Sequence, residues 1–373
     1  MDIFLLDSNF QANDSDRDVR MVANVFHALK DYGTPFVIAL ALASNVSIMA
    51  IVYKTRLKEH VTMIYACAEL LSGTFSLTSV ASAWMTSYVP GMRHSDWWCM
   101  VTSFNTHLTS FLSLWFVLFL TCDRTIVLFK PRCLECVNYL QNSLVAAVLA
   151  GLLTLSGIAI YMNESLLFGA VVISGRIMCL PRSEFSRDWS VISIMDTAVN
   201  FITVHAIIVA SNTYNAVQYR RRNCEMRTRA GSFVFRNNNK KAAKTAPSRR
   251  RRLSRSEFCL DMDLLKMSIL LTYGYLALVL PGNCLRFIVS IGTLQPEQYP
   301  RAYVWQQLLF YIYILRTILL PLCMFYVSVV RQAFGICCRK SISRMTRSRR
   351  TNVAEFPTVP FESNRHVVQI TNL

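Results

Sequence analysis

Three ionisable side chains, Glu69, Arg316 and Asp196, lie inside long apolar stretches of the sequence. Charges in the interior of a membrane protein are costly, and they are usually paired or functional. The sequence contains no nucleophile–base constellation, phosphate-binding loop or metal-ligand pattern, so we expect no enzymatic activity, no cofactor and no metal site. Cys133 and Cys136 have the spacing of half a zinc site, but no second pair stands at a suitable distance.

The composition indicates a membrane protein. The 373-residue chain is 53% hydrophobic and only 16% charged, yet its formal net charge is +17. The charge is concentrated between long apolar runs, which is typical of a membrane protein with basic cytoplasmic loops. No basic stripe interleaves with aromatic residues on a soluble module, so we expect no nucleic-acid partner. The first residues lack the features of a cleaved signal peptide, and we expect the first span to direct insertion.

Seven apolar segments are long enough to cross the hydrocarbon core, which requires about 20 residues per helix. They are Thr34–Tyr53, Thr62–Tyr88, Cys99–Phe129, Asn142–Met162, Trp189–Tyr219, Asp263–Ile291 and Tyr303–Val330. Strands of a membrane barrel would be shorter and would alternate apolar with polar residues. The sequence therefore predicts an all-α membrane protein built as a seven-helix transmembrane bundle.

The distribution of basic residues predicts the topology. They follow the first, third, fifth and seventh segments, whereas the alternate loops carry fewer. By the positive-inside rule the N-terminus is outside and the C-terminus inside. The sequons at Asn13 and Asn163 then fall outside and are predicted glycosylation sites. We expect an extracellular segment over 1–33, a membrane domain over 34–330 and a cytoplasmic tail over 331–373. A basic loop at about 220–261 is predicted to be largely disordered, because it is too polar to bury a core.

Several motifs occur at matched positions in these segments. Cys99 opens the third segment, Asp123-Arg124-Thr125 closes it, and Pro131 follows. This layout, over about 30–340, resembles the rhodopsin-like (class A) G-protein-coupled receptors, which carry a Cys at the top of helix 3 and an Asp-Arg-Tyr motif at its base. Further positions that match the family are Asn45, Glu69, Trp97, Tyr214 and Pro281.

The chain also departs from the family pattern. The fourth segment has no Trp, the fifth has no Pro, and Val279 stands where the family usually has a helix-6 Trp. The helix-7 Asn-Pro-x-x-Tyr motif is reduced to Leu320-Pro321, with Met324 at the Tyr position. The resemblance is therefore to a divergent member, of the invertebrate neuropeptide receptor type.

The resemblance implies roles for residues at both ends of the third segment. Cys99 would form a disulfide with Cys179, in the loop before the fifth segment. Asp123 and Arg124 would form the coupling switch, with Arg124 contacting the G protein and Tyr214 moving inward on activation. An Arg124–Asp261 pair would connect helices 3 and 6 in the resting state. The alternative is that Asp261 is a solvated helix start.

The resemblance also implies an interaction inside the bundle. Aligned on Pro321, Arg316 lands in the helix-7 position of the family's sodium pocket, and Glu69 and Ser113 land in its helix-2 and helix-3 positions. We hypothesise that the Arg316 guanidinium replaces sodium and neutralises Glu69 directly. The alternative is that helix 7 is shifted by about a turn, which would place Arg316 in the ligand pocket.

The ligand class is constrained in the same way. Thr106 stands where amine receptors of the family carry Asp, which argues against a monoamine, and the seventh segment has no Lys for a retinal Schiff base. Asp196, Arg286, His107 and Thr106 are the candidate ligand contacts, and this polar mouth is typical of a neuropeptide receptor. Asp196 and Arg286 could instead be snorkelling helix-end charges. A small-molecule chemosensory receptor is the alternative function. A transporter or channel would predict internal repeats, which the sequence lacks.

Three short motifs lie on the predicted cytoplasmic side. Arg251-Arg252-Leu253-Ser254 resembles a basophilic kinase site, and phosphate on Ser254 would lower the charge of the loop. Cys337 and Cys338 resemble the palmitoylated pair of a short amphipathic eighth helix. The end of the chain, Thr371-Asn372-Leu373, resembles a PDZ-domain ligand. The implied partners at the plasma membrane are thus an extracellular ligand, a heterotrimeric G protein, arrestin, a PDZ-domain protein and membrane lipid.

Overall fold

The computed structural model describes residues 29–85, 89, 95–129, 142–173, 176–185, 191–192, 194–237, 249–290, 308–309, 311–332 and 335. In these residues the chain is nearly all helical. Six helices are long and apolar enough to cross a membrane. A further apolar helical stretch, Tyr311–Met324, is shorter and is interrupted by a turn at Leu315. The chain is therefore built as a multi-pass membrane protein.

The helices follow the apolar segments of the sequence. Their bounds are Thr34–Lys54 (α1), Val61–Met85 (α2), Asp96–Phe129 (α3), Ser143–Ser165 (α4), Val204–Asn237 (α5), Arg249–Ser290 (α6) and Arg316–Met324 (α7). The bounds of α1 to α4 lie within three residues of the predicted segments. A π-helical turn, Thr197–Thr203, leads into α5.

Local sequence signals explain several helix ends and bends. Pro35 lies in the first turn of α1, where its missing N–H is not needed. Asn142 caps α4, its side chain accepting a 2.9 Å hydrogen bond from the backbone N–H of Leu144. Pro281 and Pro321 lie inside α6 and α7, where a proline removes one hydrogen bond and favours a kink.

A β-hairpin follows α4 and is a feature that the sequence analysis did not predict. Strands β1 (Phe168–Ile173) and β2 (Arg176–Pro181) pair antiparallel, with Ala170 opposite Cys179. Asp96, at the start of α3, accepts a 2.7 Å hydrogen bond from the Ala170 backbone N–H and forms an ion pair of 3.4 Å with Arg182. The hairpin is thereby attached to the start of α3, the helix that contains Cys99.

Helix covers part of the predicted basic loop at about 220–261. Helix α5 continues to Asn237 and α6 begins at Arg249, so only residues 238–248 lie outside the described residues. A helix that already spans the membrane needs no new nucleus to continue into water. Arg, Met and Glu, which occur in both extensions, are good helix formers.

The apolar core is centred on α3. One buried cluster joins α3, α5 and α6 and includes Leu114, Val117, Leu118, Val204, Ile208, Tyr275, Leu276, Val279 and Tyr313. A second, smaller cluster joins α1 and α2 through Ala41, Leu77 and Val80, together with Ile314. Helix α3 contributes Leu114, Val117 and Leu118 to the larger cluster, so its middle is packed against α5 and α6.

The chain divides into two units, 1–330 and 331–373. Of the second unit, only residues 331–332 and 335 are described. The predicted eighth helix, the palmitoylation sites Cys337 and Cys338 and the PDZ-like end lie outside the described residues. The predicted glycosylation site Asn13 lies outside them as well.

The packing of α4 on α3 gives a first testable prediction. A Cβ added at Gly157 would come within 2.9 Å of Leu108 Cδ1 and 3.1 Å of Phe111 Cδ1. We expect Gly157→Leu to lower the midpoint of thermal unfolding of the purified protein, because overpacking costs about 1–3 kcal/mol. Gly151→Leu on the same helix is the control, since nothing lies within 4 Å of an added Cβ there. Equal losses at the two positions would contradict this packing.

Candidate functional site

Glu69 of α2, Ser113 of α3 and Arg316 of α7 belong to one buried polar cluster, which we call the intramembrane cluster. The exposed fraction of Glu69 is 6% and that of Arg316 is 2%. The hydroxyl of Ser113 donates a 2.6 Å hydrogen bond to Glu69 Oε1. The structure thus brings together the three residues that the resemblance placed in one pocket.

The Arg316 guanidinium is held by neighbours other than a carboxylate. It lies over the ring of Tyr313, with 4.1 Å between the guanidinium carbon and the ring centroid. Its Nη2 donates a long, 3.4 Å hydrogen bond to Ser76 Oγ. The buried Tyr275 of α6 interacts with both Arg316 and Ser113. Helices α2, α3, α6 and α7 therefore all contribute to the intramembrane cluster.

The predicted direct ion pair between Glu69 and Arg316 is not formed. No Arg316 nitrogen lies within 4.0 Å of a Glu69 oxygen, although the two charges interact electrostatically. Among the described residues, Glu69 Oε2 and the Nε and Nη1 atoms of Arg316 have no hydrogen-bond partner. The two charged groups thus lie in one cluster, but each has polar atoms that form no hydrogen bond with a described side chain.

A second polar site lies at the end of α3 and contains Asp123 and Arg124. Asp123 Oδ2 accepts hydrogen bonds from Arg124 at 2.8 and 3.1 Å and from Thr62 Oγ1 of α2 at 2.6 Å. Arg124 Nη1 lies 3.8 Å from Asp261 Oδ1 of α6. Asp123 and Arg124 are buried, whereas the side chain of Asp261 is 49% exposed. Arg124 is therefore bound closely to the buried Asp123 and lies farther from the half-exposed Asp261.

Next to this site, Asn215 connects α5 to α3, a role that the sequence analysis missed. Its Oδ1 accepts a 3.1 Å hydrogen bond from Thr125 Oγ1, and its Nδ2 donates a 3.2 Å bond to the Thr121 carbonyl. Thr121 also pairs with Thr272 of α6 at 3.1 Å. The sequence contains no distinct signal for this role, because Asn215 is one of several polar residues in that stretch, among them Ser211, Asn212 and Gln218. Tyr214, the predicted switch residue, precedes Asn215 and is half-buried.

His107, predicted as a ligand contact, is buried against α4 and β1. Its Nδ1 lies 3.7 Å from Glu164 Oε1, and its ring neighbours those of Tyr161 and Phe168 at centroid distances of 6.0 and 5.9 Å. Thr106, the residue before it, is buried and donates to the Thr102 carbonyl at 2.8 Å. Both side chains therefore take part in contacts within the protein.

Asp196, the other acidic candidate, also has partners within the protein. Its Oδ1 accepts hydrogen bonds from the Tyr161 hydroxyl at 2.8 Å and from Asn200 Nδ2 at 2.6 Å. Asn200 in turn accepts a 2.9 Å bond from the Trp115 indole N–H. This arrangement connects α3, α4 and the start of α5, and Asp196 is not a simple snorkelling charge. Arg286 lies in α6, but its side chain is outside the described residues.

The modification sites are placed as follows. Cys99 is buried, whereas the side chain of Cys179 lies outside the described residues, so the Cys99–Cys179 disulfide stays a prediction. Asn163 is exposed near the end of α4, where its Nδ2 donates to the Ala159 carbonyl at 3.0 Å. Ser254 lies within α6, and its side chain is likewise not described.

In the part of the chain that the structure describes, no group of three or more His, Cys, Asp or Glu side chains is arranged to hold a metal ion. No protein-family model matches the chain, and no curated protein matches it at a significant level. Any account of function therefore depends on the arrangement of the residues themselves.

Proposed function

We propose that the chain is a rhodopsin-like G-protein-coupled receptor of the plasma membrane. In this proposal seven helices form the bundle, with the N-terminus outside and the C-terminus inside. Binding of an extracellular ligand, a neuropeptide, activates a heterotrimeric G protein. The observation that carries the proposal is the contact of Arg124 with Asp123 on one side and Asp261 on the other.

This arrangement has the properties of a two-state switch. Asp123 and Thr62 fix Arg124 to α3 and α2 in a buried position, whereas Asp261 on α6 is reached at 3.8 Å and is half exposed. Exposed ion pairs contribute about 0–1 kcal/mol, so small differences in ligand affinity between two bundle states can open this contact. Opening it would separate α6 from α3 and free Nη1 of Arg124 for a protein partner, while Asp123 keeps its hydrogen bonds from Nε and Nη2.

The predicted mouth of the bundle fits the same proposal. The hairpin is attached to α3 through Asp96, and Tyr161 and Asp196 couple α4 to the start of α5. A ligand that engages Asp196 or His107 would compete with these partners and would thereby change how α3, α4 and α5 are held. A Cys99–Cys179 disulfide and glycans on Asn13 and Asn163 belong to this extracellular side.

The test is second-messenger output, calcium and cyclic AMP, in cells that express the chain and are challenged with a neuropeptide library. We expect Arg124→Ala to lower the response to an active ligand at least about tenfold, which corresponds to roughly 1.4 kcal/mol of lost coupling. Responses are normalised to the receptor at the cell surface. Arg124→Gln is included because its amide can still donate to Asp123, and Lys54→Ala at the exposed end of α1 is the control.

Two outcomes would contradict the proposal. One is an unchanged ligand response in both Arg124 variants at normal surface level, because the guanidinium would then have no part in coupling. The other is a wild-type chain that reaches the surface and produces no second messenger under either peptide or small-molecule challenge. A response to small molecules alone would support the proposal that the chain is a receptor, but its ligand would then be a small molecule and not a neuropeptide.

A further inference from the structure

We propose that Arg316 forms a binding site for a small monovalent anion of the size of chloride, inside the bundle. The site is bounded by Ser76 of α2, Tyr313 and, from α6, Tyr275. The inference stands independently of G-protein coupling, because it depends only on the surroundings of one guanidinium.

Arg316 has more hydrogen-bond donors than its described neighbours can accept. A guanidinium carries five N–H groups and no acceptor. Of these, Arg316 directs Nη2 to Ser76, while Nε and Nη1 have no partner among the described residues. With an exposed fraction of 2%, these N–H groups cannot recover their hydrogen bonds from bulk water. Three N–H bonds therefore lie in the interior without an acceptor.

Ser76 and Tyr275 are the described side chains that hydrogen-bond the guanidinium, and neither supplies a partner for Nε or Nη1. The Glu69 carboxylate lies more than 4.0 Å from every Arg316 nitrogen, and its Oε1 is bound by Ser113. The face of the guanidinium is covered by the Tyr313 ring, and the Tyr313 hydroxyl is bound to Ser110 at 2.7 Å. A small anion in the plane of the guanidinium can accept hydrogen bonds from the N–H groups that converge on it and can supply the counter-charge.

The surroundings of Arg316 also indicate the charge and the size of the ion that would bind. A cation would be repelled by the guanidinium, whose field is strong in a medium of low dielectric constant. Ser79 lies one turn beyond Ser76 on α2, and its buried Oγ has no partner among the described residues, so it adds a possible donor. The near-complete burial of Arg316 favours a monatomic anion over a bulky one.

Glu69 is the competing charge in the intramembrane cluster. Because a carboxylate repels an anion, the occupancy of the site is set by the balance between Glu69 and Arg316. Replacing Glu69 by Gln keeps an acceptor for Ser113 and removes the repulsion. The anion would then become the main counter-charge of Arg316, and it would bind more tightly.

The experiment measures thermal unfolding of the purified full-length protein as chloride replaces gluconate at constant sodium concentration and constant ionic strength. A ligand that binds the folded state raises the unfolding midpoint in a saturable manner. We expect a saturable rise for the wild type. For Glu69→Gln we expect half of the maximal rise at a chloride concentration at least about threefold lower, as tighter binding requires.

The control is the double variant Glu69→Gln, Arg316→Gln, which removes both charges and leaves no unpaired ion. It should unfold at the same temperature in chloride and in gluconate. A wild type that does not respond to chloride would overturn the proposal. An equal response in the double variant would also overturn it, since the effect would then be a general salt effect. Because the readout is unfolding, neither outcome depends on whether the chain couples to a G protein.

Discussion

Removing either charge of the intramembrane cluster, by Glu69→Ala or by Arg316→Ala, is expected to reduce cell-surface expression to a small fraction of the wild-type level. Both side chains are buried, and each provides the opposite charge in the other's surroundings. Removing one partner of a buried pair costs about 3–5 kcal/mol, because the remaining charge is left uncompensated. Since domains are stable by only about 5–15 kcal/mol, such a loss is severe.

The remaining charge differs between the two single variants. Glu69→Ala leaves a guanidinium that keeps its proton and whose counter-charge would have to be the proposed anion, whereas Arg316→Ala leaves a carboxyl group that can be neutralised by taking up a proton. The double variant Glu69→Gln, Arg316→Gln should recover much of the surface expression. Ser76→Ala is the control, since it removes only a long hydrogen bond. Wild-type surface expression of both single Ala variants would refute this account of the cluster.

Asp123→Ala is expected to destabilise the protein far more than Asp261→Ala, although both substitutions remove a carboxylate from Arg124. Asp123 is buried and accepts hydrogen bonds from Arg124 and Thr62. Its loss leaves the guanidinium buried without its close partner and should cost about 3–5 kcal/mol. Asp261 is half exposed and 3.8 Å away, so its loss should cost about 0–1 kcal/mol.

The measurement is the thermal unfolding midpoint of the two purified variants beside the wild type. Salt gives a second distinction, because screening weakens exposed ion pairs more than buried ones. Raising the salt concentration should therefore reduce the small effect of Asp261→Ala and leave that of Asp123→Ala nearly unchanged. Similar shifts for the two variants would mean that Asp123 is not the main partner of Arg124.

The membrane-spanning part of the fold could be predicted from the sequence because a long apolar run in lipid forms a helix, which satisfies its own backbone hydrogen bonds. The extensions of α5 and α6 could not be predicted in this way, since they are charged and lack an apolar pattern. Their structure depends on how readily an existing helix adds further residues, and a hydropathy pattern does not show this. The short hairpin Phe168–Pro181 was missed for a related reason: two strands of six residues give a weak pattern between two spans.

The candidate sites were predictable to different degrees. Glu69 and Arg316 stand out because ionisable residues are rare in apolar runs, and the resemblance placed them together with Ser113. The partners of His107 and Asp196 could not be inferred, because a polar side chain at either position could equally face water, a ligand or another helix. Their contacts with Glu164 and Tyr161 depend on how three helices pack, and one sequence does not contain that information.

The length of α6 has a mechanical consequence. The helix has 42 residues and contains Pro281 near one end, so about 30 Å of helix separates the proline from Asp261 and about 48 Å separates it from Arg249. A proline kink is a point of bending, and the helix beyond it moves as a stiff lever arm. A change of about 10° at Pro281 would displace Asp261 by about 5 Å and Arg249 by about 8 Å. The first displacement is larger than the 3.8 Å contact with Arg124, so a slight bend deep in the bundle is sufficient to open it.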